Sequence, residues 1–326
     1  MDGGRAVSVK GGGTDLAGSS CPRREGETMS IHPDRLKRLA ATASVVVATL
    51  LIVAKAAAWL TTGSISLLST LIDSALDLAA SLINLVAIRQ AAQPPDKEHR
   101  FGHGKAEPLA GLAQAGFVCG SAGFLLVHAG ERLVRPASIS NTEVGYAVMA
   151  LSIALTVGLV LYQRFVVRRT GSLAISADSL HYSADLLTNL SVIVALVLST
   201  QFGWVWADPL TAIAIGVFIL YSAWQILKQS LNLLMDRELP DEDREHIRRI
   251  VRAHPEVIDI HDLRTRSSGT HLFIQFHLEL DGNMTLLEAH TIADQVMREL
   301  EQVFPDAEVL IHEDPHGVSE PRASFR

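Results

Sequence analysis

The sequence predicts a membrane all-α bundle of six transmembrane helices followed by a cytosolic α+β domain of ferredoxin-like (αββαβ) order. Three observations lead there. Charged side chains make up only 19% of the 326 residues, below the quarter or so usual in soluble domains. They are also segregated, with long apolar blocks between Leu39 and Met235 and a charged tail after them, as a bilayer demands. From Pro240 onward the pattern turns into short alternating runs and charged helical stripes. A net charge of −7 argues against a nucleic-acid binder. Cys21 and Cys119 are far apart, one in a polar stretch and one in an apolar block, and support neither a disulfide framework nor a zinc ribbon.

Residues 1–30 are rich in Gly and Ser and lack the apolar core of a secretory signal, so they read as a disordered leader. Met29 precedes a basic approach, Ser30 to Arg38, and is an alternative start. A bilayer core takes about 20 apolar residues per helix. On that ruler residues 31–235 form a six-span domain, with segments Leu39 to Leu60, Leu67 to Ile88, Leu109 to His128, Val144 to Phe165, Leu173 to Thr200 and Pro209 to Leu231. Lys and Arg fall in alternate connections: Arg35, Lys37 and Arg38, then Arg89, Lys97, Arg100 and Lys105, then Arg164, Arg168 and Arg169, then Lys228 and Arg237. The positive-inside rule therefore puts both termini in the cytoplasm, with Arg132 and Arg135 as the exception.

Residues 236–316 read as helix, strand, strand, helix, strand. Asp241 to Ala253 is a charged helix closed by Pro255. Val257 to Arg266 and His271 to Leu280 are strands joined by a Ser-Ser-Gly turn. Leu286, Ala289, Ala293, Val296, Met297 and Leu300 make a helical stripe, and Glu308 to His312 is a last strand. An open-faced α+β sandwich packs that order. Residues 317–326 read as a disordered tail.

A repeat inside the chain carries the chemistry. Thr62-Gly63-Ser64, Asp73 and Asp77 recur as Thr170-Gly171-Ser172, His181 and Asp185, each 108 positions later. The copies open the second and fifth spans, which run in opposite directions, so the repeat is inverted, as in secondary transporters with a midplane site. At a rise of about 1.5 Å per residue, Asp77 lies roughly 15 Å from the outer face and His181 roughly 12 Å from the inner one, so they meet near the middle. Asp73 and Asp185 are expected to pair one turn further out.

Three carboxylates and an imidazole in low dielectric repel one another or take up protons unless a cation joins them. Two helices that each offer an i, i+4 pair make a four-ligand site of mixed N and O donors, suited to Zn²⁺ and tolerable to Fe²⁺, Cd²⁺ or Mn²⁺. Protons replace the departing metal, which is the physical basis of metal/proton antiport. The competing reading is helix packing through buried, hydrogen-bonded Asp and His. Asp178, one turn before His181, is a candidate proton relay, and Lys55 either snorkels or faces the bundle interior.

At these residues the chain resembles the cation diffusion facilitator family, and within it the bacterial ferrous-iron/zinc efflux branch. The matching text is Gly63 to Leu68 with Asp73 and Asp77, Phe101 to Glu107, Ala177 to Tyr182 with Asp185, and His261 to Arg266, within a match from Ile31 to Pro315. The resemblance implies a homodimeric, proton-driven exporter in the bacterial inner membrane, with Zn²⁺, Fe²⁺ and Cd²⁺ as candidate cargoes and no organic cofactor. It also implies a loop metal site at Asp96, His99 and His103, whose spacing in a Pro- and Gly-flanked loop suits a mobile three-ligand site. In the tail it implies a binuclear site at a dimer contact, built from His261, His277, His290, His312 and Asp314. Alternation supports part of this. Leu272, Ile274, Phe276, Leu278 and Leu280 share the face for the helices, while Phe273, Gln275, His277 and Glu279 take the open one. Glu313 stands where some relatives have Gln. His246, His254, His271 and His316 read as solvated histidines, and His128 as an interfacial or packed one. Lys105 and Asp236 are expected to pair between membrane and tail and so couple the two. The alternatives are an intramembrane metalloenzyme, disfavoured because no His-Glu-x-x-His or separate nucleophile is present, and a metal sensor acting through the tail.

Overall fold

The computed structural model describes residues 33–62, 65–134, 143–202, 206–269 and 271–318. The leader with Cys21 and Met29, Gly63 and Ser64 of the first repeat copy, Arg135 and residues 319–326 of the tail lie outside the described residues. Six long helices come first: α1 (Pro33–Thr62), α2 (Ile65–Ala91), α3 (Ala106–Val134), α4 (Glu143–Thr170), α5 (Leu173–Phe202) and α6 (Ala207–Leu234). Among the described residues five helices are long and apolar enough to cross a membrane, lying within α1, α2, α3, α4 and α6. The remaining one, α5, has 30 residues, with Ser176, Asp178, Ser179, His181 and Asp185 in its first half and an apolar run, Val192 to Leu198, in its second.

Burial in the bundle is inverted relative to a soluble protein. Leu60, Val86, Val127 and Trp224 are exposed, whereas Ser44, Ser81, Gln163 and Asp178 are buried. That is the arrangement expected where lipid, not water, surrounds the helices. The most extensive helix contacts are α3 with α6 and α1 with α2. Small residues allow the first: Ala122 and Ala223 are buried, and a Cβ on Gly216 would sit 2.8 Å from Leu126 Cδ2. Ser172 caps α5, its Oγ accepting from the Ile175 N–H at 3.3 Å.

The second part contains α7 (Asp241–Arg252), β1 (Asp259–Ser268), β2 (His271–Leu280), α8 (Leu286–Val303) and β3 (Ala307–Pro315). The sheet order is β1-β2-β3, with β1 antiparallel and β2 parallel to their neighbours β2 and β3. A parallel neighbour requires a crossover, which α8 supplies. Thr285 and Glu288 start α8 with a capping box. Ile247 and Val251 of α7 and Ile292, Val296 and Leu300 of α8 bury the face carrying Ile274, Phe276 and Leu278. His277 and Glu279 lie on the other face. Phe273 shares that face yet is buried, because Phe101 from the α2–α3 connection meets its ring edge-on at 5.6 Å and Arg266 lies over both rings at 4.7 Å.

Candidate metal centres

The first centre lies between α2 and α5. His181 Nε2 is 2.9 Å from Asp77 Oδ1 and 3.8 Å from Asp185 Oδ2, and ligand atoms of all three lie within 4.8 Å of one another. Asp73, one turn before Asp77, stands outside this group on the wall of the same cavity. The cavity holds about 840 Å³ and is bordered by Lys55, Asp73, Asp77, His181, Asp185 and Asn189, among others. It occupies the half of the bundle far from the sheet, between the first half of α2, the second half of α3, the middle of α5 and the start of α6. Lys55 faces inward, donating to Ser74 Oγ at 2.6 Å and to the Thr70 carbonyl at 3.2 Å.

On the sheet side the cavity ends in a buried polar knot. Asp178 Oδ2 accepts from Ser44 Oγ at 2.6 Å and Gln163 Nε2 at 2.7 Å, and Tyr182 Oη shares a 2.9 Å hydrogen bond with Ser81 Oγ. Ser44, Ser81 and Gln163 escaped the sequence reading. Gln163 carried a signal, since an amide inside an apolar span is costly without partners.

The second centre is in the α2–α3 connection. Asp96 lies 3.3 Å from His99 Nδ1 and 3.3 Å from His103 Nε2, and the two imidazole centroids are 4.5 Å apart. The backbone N–H groups of His99 (2.6 Å) and Glu98 (2.8 Å) donate to Asp96 Oδ1. Chiefly through the His99 bond, they hold its carboxyl below the usual carboxylate range. The charged, acceptor-only form is thereby ready for a cation, with His103 buried and His99 exposed beside it.

The third is on the open face of the sheet. Register places His261, His277 and His312 abreast on the three strands. Asp314 Oδ2 lies 2.8 Å from His277 Nδ1 and 3.1 Å from His261 Nε2, and Oδ1 lies 3.2 Å from His312 Nε2. His290 is not in this group. It sits on α8, across the sheet, 3.9 Å from Glu313 Oε1, so within one chain the sheet separates it from the histidine row. Between the two regions, Lys105 Nζ is 2.9 Å from Asp236 Oδ1, and Arg266 Nη1 is 3.7 Å from Asp236 Oδ2.

The family model described as "Cation efflux transmembrane domain" matches residues 41–235, and that described as "Cation efflux protein, cytoplasmic domain" matches residues 239–316. The chain is 49% identical over 288 residues to the cation-efflux pump FieF of Shewanella oneidensis, covering 88% of this chain and 97% of that one. It is 48% identical over 284 residues to the cation-efflux pump FieF of Klebsiella pneumoniae, covering 87% and 94%. Among solved structures, the metal-bound C-terminal domain of the CzcD transporter from Thermotoga maritima is 29% identical, with a TM-score of 0.24, and covers 25% of this chain and all of that one.

Proposed function

The chain belongs to the cation efflux family and is a membrane-spanning cation-efflux transporter, not an enzyme, and from that premise we propose that it exports Zn²⁺ from the cytoplasm in exchange for protons. Fe²⁺, Cd²⁺ and Mn²⁺ are further cargoes the donor set tolerates. One observation carries the reading. Asp77, His181 and Asp185, from two helices related by the internal repeat, converge on the wall of a large cavity in the half of the bundle far from the sheet domain.

In this reading all six helices span a bacterial inner membrane, both termini are cytoplasmic, and the cavity faces outward. The Ser44–Gln163–Asp178 knot and the Tyr182–Ser81 bond close the cytoplasmic side. Metal leaves through the cavity while protons take its place on Asp77, His181 and Asp185, because metal ligands must be deprotonated to bind and are reprotonated on release. Asp178 relays those protons toward the cytoplasm when the knot opens. Asp73 swings in as the fourth ligand as α2 moves during alternating access. The chain works as a homodimer, in which His290 reaches the cytosolic group of His261, His277, His312 and Asp314 across the dimer contact. The loop group of Asp96, His99 and His103 takes up a metal ion in the cytoplasm, and the Lys105–Asp236 pair transmits cytosolic occupancy to the bundle.

Metal flux into proteoliposomes under an imposed pH gradient tests this, with Zn²⁺, Cd²⁺, Fe²⁺ and Mn²⁺ in parallel and Asp77→Ala as control. The reading requires flux that depends on both the gradient and Asp77. Tight binding without gradient-dependent flux would overturn it.

A further inference from the structure

The open face of the sheet carries two rungs, not one. His261, His277 and His312 form the first, and Asp259, Glu279 and Asp314 the second, two residues along each strand and therefore on the same face. Asp314 turns toward the histidines. Asp259 and Glu279 put like charges on directly opposed residues of neighbouring strands, an arrangement that destabilises a sheet unless it is compensated. Ligand atoms of Asp259, Glu279 and His261 lie within 4.8 Å of one another. His261 Nδ1 is buried and has no hydrogen-bond partner. His316 adds a second imidazole: its Nδ1 is 2.6 Å from Glu279 Oε1, and its backbone N–H donates to the Leu280 carbonyl at 2.7 Å, which fixes its place beside the rung. Arg252 reaches Asp259 from the rim at 3.4 Å and leaves Glu279 to His316.

We infer that Asp259, His261 and Glu279 form a further divalent-cation position beside the centre built on Asp314, with His316 on the flank of Glu279. Two carboxylates and an imidazole are the donor set of Zn²⁺ and related first-row ions. A bound ion bridges the two carboxylates, which Arg252 on Asp259 and His316 on Glu279 neutralise only one at a time. The sequence pattern alone made His316 a solvated side chain. Its position two residues beyond Asp314 instead extends the ligand row past the end of β3.

The inference concerns equilibrium binding and does not depend on which ion is transported. The full-length purified protein is equilibrated with buffered free Zn²⁺ and its zinc content per chain measured in four forms. These are the unsubstituted chain, Glu279→Gln with His316→Ala, His277→Ala with His312→Ala, and all four substitutions together. Unchanged metal-free thermal unfolding identifies forms that remain folded, and Glu279→Gln alone, which keeps the side-chain shape, serves if the double substitution does not. The expected result is one ion fewer per chain for the Glu279/His316 form, and one fewer again in the quadruple form than in the His277/His312 form. Unchanged zinc content in the Glu279/His316 form overturns the site. So does a quadruple form that loses no more than His277→Ala with His312→Ala, since both pairs would then serve one ion.

Discussion

Lys37 and Glu107 join α1 to α3 where the bundle meets the α2–α3 connection. Their charged atoms are 2.9 Å apart and their side chains only 6% and 7% exposed. They border a narrow cleft together with Gly104 and Gly269, so the pair holds the foot of α3 beside the turn between β1 and β2. Replacing Glu107 with Met leaves an ammonium group buried without its counter-charge, a loss of about 3–5 kcal/mol. At roughly 2–4 °C per kcal/mol for chains of a few hundred residues, the unfolding midpoint falls by on the order of 10 °C. The companion Lys37→Met/Glu107→Met removes both charges at similar volume and lies close to the unsubstituted protein, because a buried pair and an apolar pair of the same shape differ little. The assay is thermal unfolding of the purified chain in detergent, read as the fraction still monodisperse after heating. A Glu107→Met midpoint equal to that of the unsubstituted chain, or a double substitution worse than the single one, would refute the argument. The first result would mean that Lys37 reaches water along its stem.

Three further outcomes follow from the geometry. A four-ligand zinc site worth about 10–16 kcal/mol assigns roughly 3–4 kcal/mol to each ligand, so Asp77→Ala weakens equilibrium metal binding at the intramembrane site by about 100- to 1,000-fold. Asp73→Ala costs less than Asp77→Ala, because Asp73 stands outside the preformed group; calorimetric titration of both variants, with the loop and sheet sites removed, ranks them. A Cβ on Gly104 would fall 2.0 Å from the backbone carbonyl oxygen of Ser268. Gly104→Ala therefore drives the connection and the β1–β2 turn apart, and amide exchange at residues 99–106 and 265–269 rises while that of α8 stays unchanged. The Asp96 carboxyl is held below its usual range by the backbone N–H groups of His99 and Glu98. A depressed folded value means that its contribution to loop order is complete above the unfolded value, near pH 4, and is lost as pH falls through the folded one. Protection factors in the loop, that is exchange corrected for its intrinsic pH dependence, thus show no loss due to Asp96 from pH 7 to 5 and fall only under stronger acid.

Asp77, His181 and Asp185 were legible because ionisable residues at helical spacing inside apolar blocks have few bland explanations, and the repeat gives them matching depths. That Asp73 lies outside the close group of Asp77, His181 and Asp185 was not legible, since spacing gives the face of a helix but not the angle at which it crosses its neighbour. The strand alternation located His277 on the open face, and the register of β3 brings His312 and Asp314 beside it. It put Phe273 there as well, and Phe273 is buried only because Phe101, far away in the chain, packs on it with Arg266. The register shift between His261 and Arg264, with Asp262 at φ 49°, interrupts β1 in a way that periodicity does not announce. His290 entered through the family resemblance, and which side of the sheet its helix covers is a property of the packed domain. Ser44 and Ser81 went unread because isolated hydroxyls in a span look tolerable until Asp178 and Tyr182 are seen to need them.

The central claim is that metal and protons compete for Asp77, His181 and Asp185. Proton release on adding Zn²⁺ to the detergent-solubilised protein in weak buffer, followed with a pH indicator, tests it most directly, in a background lacking the loop and sheet ligands so that the intramembrane group dominates. The account predicts release that saturates with bound zinc, grows as the starting pH is lowered from 8 to 6, and with Asp77→Ala is lost at zinc concentrations that just saturate the unsubstituted protein. Stoichiometric zinc binding at that group with no proton release at any pH in this range would contradict it.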